Sequence, residues 1–232
     1  MKIIVTGFNA FDTLETNPTE LLCQKVAGSS GNYESSALGK LAIKSEVLET
    51  CCTDSWDKLA PLLASQDEKI VLLMLGVAES RNGFSLERVA LNLRDYRVAD
   101  NNKHEFDAVR ISDREEQNAL FSDLPLRKYA DYLTNHGFPC HVSNHAGTFV
   151  CNDIYFQALA HKKNNANILA ALFVHVPPPA VYAESVRRNY AFAGNEHMMQ
   201  GKLMSEQAQL DYMTIGLRTL LDQLLGGLVG VV

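Results

Sequence analysis

Apolar and polar positions along the chain follow two alternating rhythms. Ile3–Thr6, Lys69–Leu75, Cys140–Ser143 and Leu169–His175 are apolar runs of strand length. Between them lie amphipathic stretches of helix length. Asn17-Pro18-Thr19-Glu20 reads as a helix start, with Asn at the N-cap, Pro at the first helical position and Glu placed to close a capping box. That helix is expected to run to about Val26 and to stop before Gly28-Ser29-Ser30-Gly31. Ser55–Ala64, Leu126–Asn135, Thr148–His161 and Ser205–Leu225 are the further helices the pattern predicts. Strands alternating with helices across short connections predict an α/β sheet covered by helices on both faces. Without a linker-like stretch or an internal repeat, one domain over residues 1–232 is the economical expectation.

Two stretches depart from this scheme. Gly83–Arg97 alternates like a strand and then passes into a polar loop, Asp100–Glu105, a type of excursion that tends to carry site residues. Pro177–Asn195 opens with three prolines, which cannot continue a central strand, so the chain is expected to leave the sheet directly after His175. His175 then sits at the carboxyl end of a strand, the edge that carries the ligand crevice in open α/β sheets.

Composition narrows the partners. With 47% hydrophobic and 21% charged residues the chain is of ordinary globular make-up, which excludes a disordered, collagen-like or coiled-coil protein. Its 21 basic against 27 acidic residues, net charge −6, argue against nucleic acid as a partner. No apolar run approaches the roughly 18–20 residues that span a bilayer. Met1–Gly7 reads as a first strand rather than a signal segment, so a soluble, cytoplasmic protein is expected.

The five cysteines, Cys23, Cys51, Cys52, Cys140 and Cys151, are odd in number and lack a C-x-x-C pair. A disulfide framework and a structural zinc site are therefore not expected, and the plain reading of each cysteine is a small buried hydrophobe. Cys151 differs in its neighbours. Gly147-Thr148 can form the turn and N-cap of a helix that begins under it, and the positive end of the helix dipole favours a thiolate there.

A thiol nucleophile needs a base and a group to orient that base. Of the seven histidines, His136 and His161 read as solvated helix ends, and His104 and His197 as loop residues. His141 and His145 are a weak metal pair. His175, between an apolar strand and a proline turn, is the candidate base, with a neutral core histidine as its alternative. For the orienting acid, Glu87 stands out inside a strand-like run, and Asp100 competes with it. A surface ion pair with Arg88 or Arg94 is the simpler role for Glu87.

These residues sit in blocks that resemble the pyroglutamyl peptidase I family of cysteine peptidases. Thr6-Gly7-Phe8-Asn9-Ala10-Phe11 with Asn17-Pro18-Thr19 is similar to the family's opening G-F-x-P-F…N-P motif. Glu87–Asn92 with Arg97–Asn101 resembles E-R-V-A-x-N…R-I-P-D-N, Ala146–Asn152 matches the nucleophile block, and Phe173–Pro177 is similar to the block of the base. The resemblance covers roughly residues 1–180. It implies a three-layer α/β/α sandwich around a central, mostly parallel mixed sheet, and a homotetramer. It also implies hydrolysis of the amide after an N-terminal pyroglutamyl residue through a thioester, with no metal or organic cofactor. By position it makes Cys151 the nucleophile, His175 the base and acid, and Glu87 the orienting carboxylate. Arg97 falls near the oxyanion, and Phe8, Phe11, Val77, Phe149 and Val150 fall on the substrate pocket.

The chain departs from the family pattern at Ala10, in place of proline, and at Asp12-Thr13, in place of a glycine pair. Glu79 and Ser80 stand in a turn that is usually glycine-rich, Val98-Ala99 replaces Ile-Pro, and Pro177-Pro178-Pro179 replaces proline–tyrosine. The changed loop at Val77–Arg81 leaves two alternatives open. One is a cysteine amidase or peptidase for another small N-terminal group or cyclic amide. The other is a binding protein on the same scaffold without turnover.

Overall fold

A computed structural model of the chain describes residues 1–12, 15–64, 67–192 and 205–230. Its strands are β1 (Lys2–Phe8), β2 (Asn32–Ser35), β3 (Gly39–Leu48), β4 (Ile70–Val77), β5 (Phe84–Glu87), β6 (Val89–Leu91), β7 (Ala119–Phe121), β8 (Cys140–Ser143) and β9 (Ile168–Val176). The helices are α1 (Pro18–Ala27), α2 (Cys52–Leu63), α3 (Leu126–Asn135), α4 (Val150–Asn164), α5 (Pro179–Phe192) and α6 (Glu206–Gly226).

Seven strands form one sheet in the order β2-β3-β1-β4-β9-β5-β8. The centre, β3-β1-β4-β9, is parallel, while β2 runs antiparallel to β3 and β5 antiparallel to β9. β6 and β7 pair separately as a small ribbon. Strands β4 and β9 are buried along nearly their whole length, which is why they read as continuous apolar runs instead of alternating ones.

Alternation reappears in what each strand residue touches. Val71, Leu73 and Leu75 of β4 and Leu172 and Val174 of β9 pack in one core with α1, α3, α5 and α6. Leu72 and Met74, with Ala171 and Phe173, pack in a second core with α2 and α4. Two cores on opposite faces of one sheet are the three-layer α/β/α sandwich.

The first helix starts as its sequence dictates. Asn17 Oδ1 accepts the Thr19 amide at 3.1 Å, Pro18 follows, and Gly28 beyond the end takes φ 69°. Three other elements differ from expectation for local reasons. α2 begins at Cys52, three residues before Ser55, because the Asp100 carboxylate accepts the Cys52 amide at 3.2 Å and caps the helix from a distant loop. α4 begins at Val150: Thr148 is not its N-cap, and its hydroxyl donates to the Asp95 carbonyl at 2.8 Å. β9 continues one residue past His175 to Val176, and Pro179 opens α5, a helix that the proline run concealed.

Candidate active site

The second core ends, at the carboxyl edge of the parallel strands, in a cleft of about 250 Å³. Cys151 lies on its floor in the first turn of α4, half-buried. His175 is carried by β9. Glu87 ends β5, and because β5 pairs antiparallel with β9 with Ser85 opposite His175, Glu87 shares a sheet face with His175 and Phe173. Phe84 and Leu86 turn the other way, into the first core.

The three functional groups form a line. His175 Nδ1 is 2.8 Å from Glu87 Oε1, which leaves Nε2 for the Cys151 thiol. Glu87 is fully buried, its Oε2 without a hydrogen-bond partner, and His175 is 8% exposed. Burial by itself would push the His175 imidazole down. Hydrogen bonds and charge attraction from Cys151 and Glu87 outweigh it and raise its pKa to about 9. An imidazole so placed can hold a proton between the sulfur and the carboxylate, the arrangement that activates a cysteine nucleophile.

Several neighbours hold this line in place. The buried Asn152 side chain accepts the Leu91 amide and donates to the carbonyls of Leu91 and Leu93, fastening α4 to β6. Tyr155, one turn past Cys151, donates to the Glu87 carbonyl at 2.9 Å. The Arg94 guanidinium ion-pairs with Asp153, which also accepts from Tyr96 at 3.4 Å. Gly76 of β4 lies opposite His175, and a Cβ there would sit 2.9 Å from Cys151 Sγ and 2.7 Å from Phe173 Cζ. A glycine inside an otherwise apolar strand was the available sign of such a close approach, and sequence reading did not use it.

Of the expected pocket residues, Phe8, Phe11, Val77 and Phe149 line the cleft with Cys151. Phe11 packs on Phe149 with ring centroids 5.1 Å apart, and Tyr96 backs Phe149 at 4.6 Å. The other two expected residues are not among its lining. The Val150 side chain is buried in the second core, because the helix turns it away from the cleft. Arg97 is exposed on the bend after Tyr96.

Asp12, Asn17, Thr50 and Glu79 line the cleft without having been expected there. Asn17 was legible as a helix cap and as part of the opening family motif but not as a cleft residue, and Glu79 only as a departure from a glycine-rich turn. Thr50 carried no signal, and it is held by Asn9, whose Oδ1 accepts its amide at 2.9 Å. Asp12 has φ 53°, the left-handed conformation that a glycine pair at this point would adopt freely. Thr13 lies outside the described residues.

The competing assignments resolve on geometry. Glu87 is not a surface partner: Arg88 donates to Asn144 and Arg94 pairs with Asp153. Asp100 faces His104 instead of His175, so His104 is not a free loop residue. His161 is half-buried with its ring edge-on to Trp56, and only His136 of the two helix-end histidines is exposed. His141 meets Ser85 at 2.9 Å while His145 accepts the Gly147 amide, so they do not act as a pair. His197 lies outside the described residues.

The Pyroglutamyl peptidase family profile matches residues 1–190. The chain belongs to the pyroglutamyl peptidase family. A pyrrolidone-carboxylate peptidase of Brachyspira hyodysenteriae is 38% identical over 179 residues, 76% of this chain and 83% of that protein. One of Coprothermobacter proteolyticus is 28% identical over 76% of this chain and 81% of its own. Among solved structures, the pyrrolidone carboxyl peptidase of Pyrococcus furiosus superposes with a TM-score of 0.73 at 25% identity, covering 97% of this chain and all of that one. The pyroglutamyl peptidase I of Bacillus amyloliquefaciens, at 23% identity and TM-score 0.71, shares the fold over 94% of this chain and 95% of its own.

Proposed function

We propose that this member of the family is a cysteine exopeptidase that removes an N-terminal pyroglutamyl residue, with Cys151, His175 and Glu87 as its triad. The observation that carries the proposal is the buried Glu87–His175–Cys151 line opening onto a cleft walled by Phe8, Phe11 and Phe149. A pyroglutamyl ring is a neutral lactam, so an aromatic slot accepts it without burying a charge. Asn17 Nδ2 keeps one N–H beyond its bond to the Asn9 carbonyl, and Thr50 Oγ1, which donates to Asn9, keeps an acceptor, so the two suit the lactam carbonyl and N–H.

The Cys151 thiolate attacks the pyroglutamyl carbonyl carbon. Amide groups of the first turn of α4, which have no acceptor within the helix, stabilise the oxyanion, and Arg97 is the side chain to test for the same task. The carbon–nitrogen bond breaks as His175 gives its proton to the leaving amine, and a thioester remains. His175 then takes a proton from water, whose oxygen displaces the thiolate and frees pyroglutamate. Glu87 holds the imidazole in one orientation and stabilises its charged form throughout. The enzyme works without a cofactor on peptides, in a reducing cytoplasm that suits its free thiols. Among the described residues no helix is long and apolar enough to cross a membrane.

A second reading has its own support: Asp12 and Glu79 place carboxylates at the cleft, which suit a small N-terminal group bearing a charged amine. Release of a fluorescent amine from a pyroglutamyl amide, beside a prolyl amide, separates the two. Pyroglutamyl-selective turnover that disappears in Cys151→Ala supports the proposal. Prolyl turnover supports the second reading, and no turnover with slow, unselective alkylation of Cys151 supports a binding protein. Sedimentation of the purified chain tests the homotetramer.

A further inference from the structure

Cys51 and Cys52 stand at the start of α2, and Asp100 and His104 come from a loop 48 to 53 residues further along the chain. One donor atom from each of these four side chains lies within 4.8 Å of all the others. His104 Nδ1 is the meeting point: it is 3.8 Å from Cys51 Sγ, 3.9 Å from Cys52 Sγ and 3.2 Å from Asp100 Oδ2. Capping α2 accounts for Asp100 alone. It does not account for two thiols near the imidazole nitrogen that meets this carboxylate; Cys51 Sγ also lies 3.3 Å from Thr53 Oγ1.

A tetrahedral ion with bonds of about 2.3 Å to sulfur and about 2.0–2.2 Å to nitrogen and oxygen sets neighbouring donors about 3.3–3.8 Å apart. The three separations from His104 Nδ1 lie close to those edges, and the other pairs lie within 4.8 Å. We propose that Cys51, Cys52, Asp100 and His104 form a binding site for a thiophilic divalent cation of the zinc class.

Two sulfurs, an imidazole and a carboxylate select zinc over magnesium or calcium, which prefer all-oxygen sites. Adjacent cysteines serve one ion here because Cys51 is extended (φ −147°, ψ 140°) while Cys52 is already helical, which brings both sulfurs to the same side. The carboxylate is held from behind: Asp100 Oδ1 accepts the amides of Asn102 at 3.0 Å and His104 at 2.9 Å. Three of the donors are buried, and the half-exposed His104 gives the ion its way in.

The site is separate from Cys151 but adjoins the cleft wall. Thr50, which lines the cleft, precedes Cys51, and Asn101 donates its amide to the Thr50 carbonyl and its side chain to the Ala10 carbonyl. A bound ion therefore fastens that wall to α2. Its ligands come from two segments whose spacing follows no metal motif, so the site became visible only in the folded chain.

The test uses the full chain carrying Cys151→Ala, which removes the competing thiol, in a phosphine reductant. Metal-free protein is titrated with Co²⁺ in the spectrophotometer and with Zn²⁺ in the calorimeter. The expected result is one ion per chain, intense tetrahedral visible bands with a thiolate charge-transfer band for cobalt, displacement by zinc and a higher melting temperature with zinc. His104→Ala, at a half-exposed position, should melt like the parent without metal and bind zinc about tenfold or more weakly. Cys52→Ser should lose much of the charge-transfer intensity. Absence of the cobalt–thiolate band, or equal zinc affinity in the parent and His104→Ala, overturns the proposal even if Cys52→Ser does not fold.

Discussion

Two places in this fold set thiol, imidazole and carboxylate together at the start of a helix, and they differ in how the imidazole is used. At α4, His175 divides its nitrogens, one toward Glu87 and the other for Cys151, so a proton can pass through the ring. At α2, a single nitrogen of His104 faces two thiols and a carboxylate at once. The first arrangement is serial and suits proton transfer; the second is convergent and suits holding a cation. Burial separates the thiols as well. Cys51 and Cys52 are buried, whereas Cys151 lies half-buried on an open cleft. Residue types alone do not distinguish a triad from a metal site; the direction in which the histidine shares its nitrogens does.

The comparison breaks most sharply at the nucleophile. Cys151→Ala should lower pyroglutamyl amide turnover by roughly 10⁴-fold or more, while Cys52→Ser should not approach that loss. Steady-state assay of both variants checks it, and comparable losses would dissolve the distinction between the sites. Glu87→Gln keeps the shape of the serial line but removes its charge. It should lower kcat by about 10²–10⁴-fold and move the alkaline limb of the pH profile to lower pH, a shift that a merely structural role would not produce.

In the unaltered enzyme the sign is fixed by His175. Its pKa is raised from 6.5 to about 9, so the proton needed by the leaving amine is present below that value and activity should fall as pH rises through about 9. The stability that the same interactions lend the fold is complete below 6.5 and is lost over the same rise, which melting temperatures across that range would record.

Gly76→Ala tests the spacing around the thiol. The added methyl meets Cys151 Sγ and Phe173, and about 1–3 kcal/mol of stability should be lost, read by denaturant unfolding, together with slower alkylation of Cys151. The smallest effect sharpens the comparison from the other side. Turnover by metal-free His104→Ala should stay near that of the metal-free parent, because the convergent site takes no part in proton transfer.

Much of this was legible beforehand for a physical reason: central strands buried on both faces and helices with local caps announce themselves within a few residues. The strands β4 and β9 and the helix α1 belong to that class, and α3 was read from its amphipathic period, whereas the residues of the serial line came from the family resemblance, each having a plainer role on its own. β2 and β3 escaped because β3 interleaves Lys40, Lys44 and Glu46 with its apolar positions at the less buried side of the sheet. The early start of α2 escaped because its cap arrives from Asp100. Val150 and Arg97 were placed by motif position alone: the motif fixes where a residue stands in the chain, while helix phase buries the Val150 side chain and the bend after Tyr96 leaves Arg97 exposed, neither among the residues that line the cleft. Thr50 and the convergent site needed the tertiary fold, since each is assembled from segments that are distant in sequence.

Glu87 and His175 ride on adjacent strands of one sheet, β5 and β9, while Cys151 is carried by α4, which Tyr155 ties to the sheet at the Glu87 carbonyl. Acid and imidazole therefore share one mounting, and the gap set by how α4 seats on the sheet is the one between imidazole and sulfur. Mechanically the site has a single joint, and the bond from Tyr155 to Glu87 lies across it as a brace.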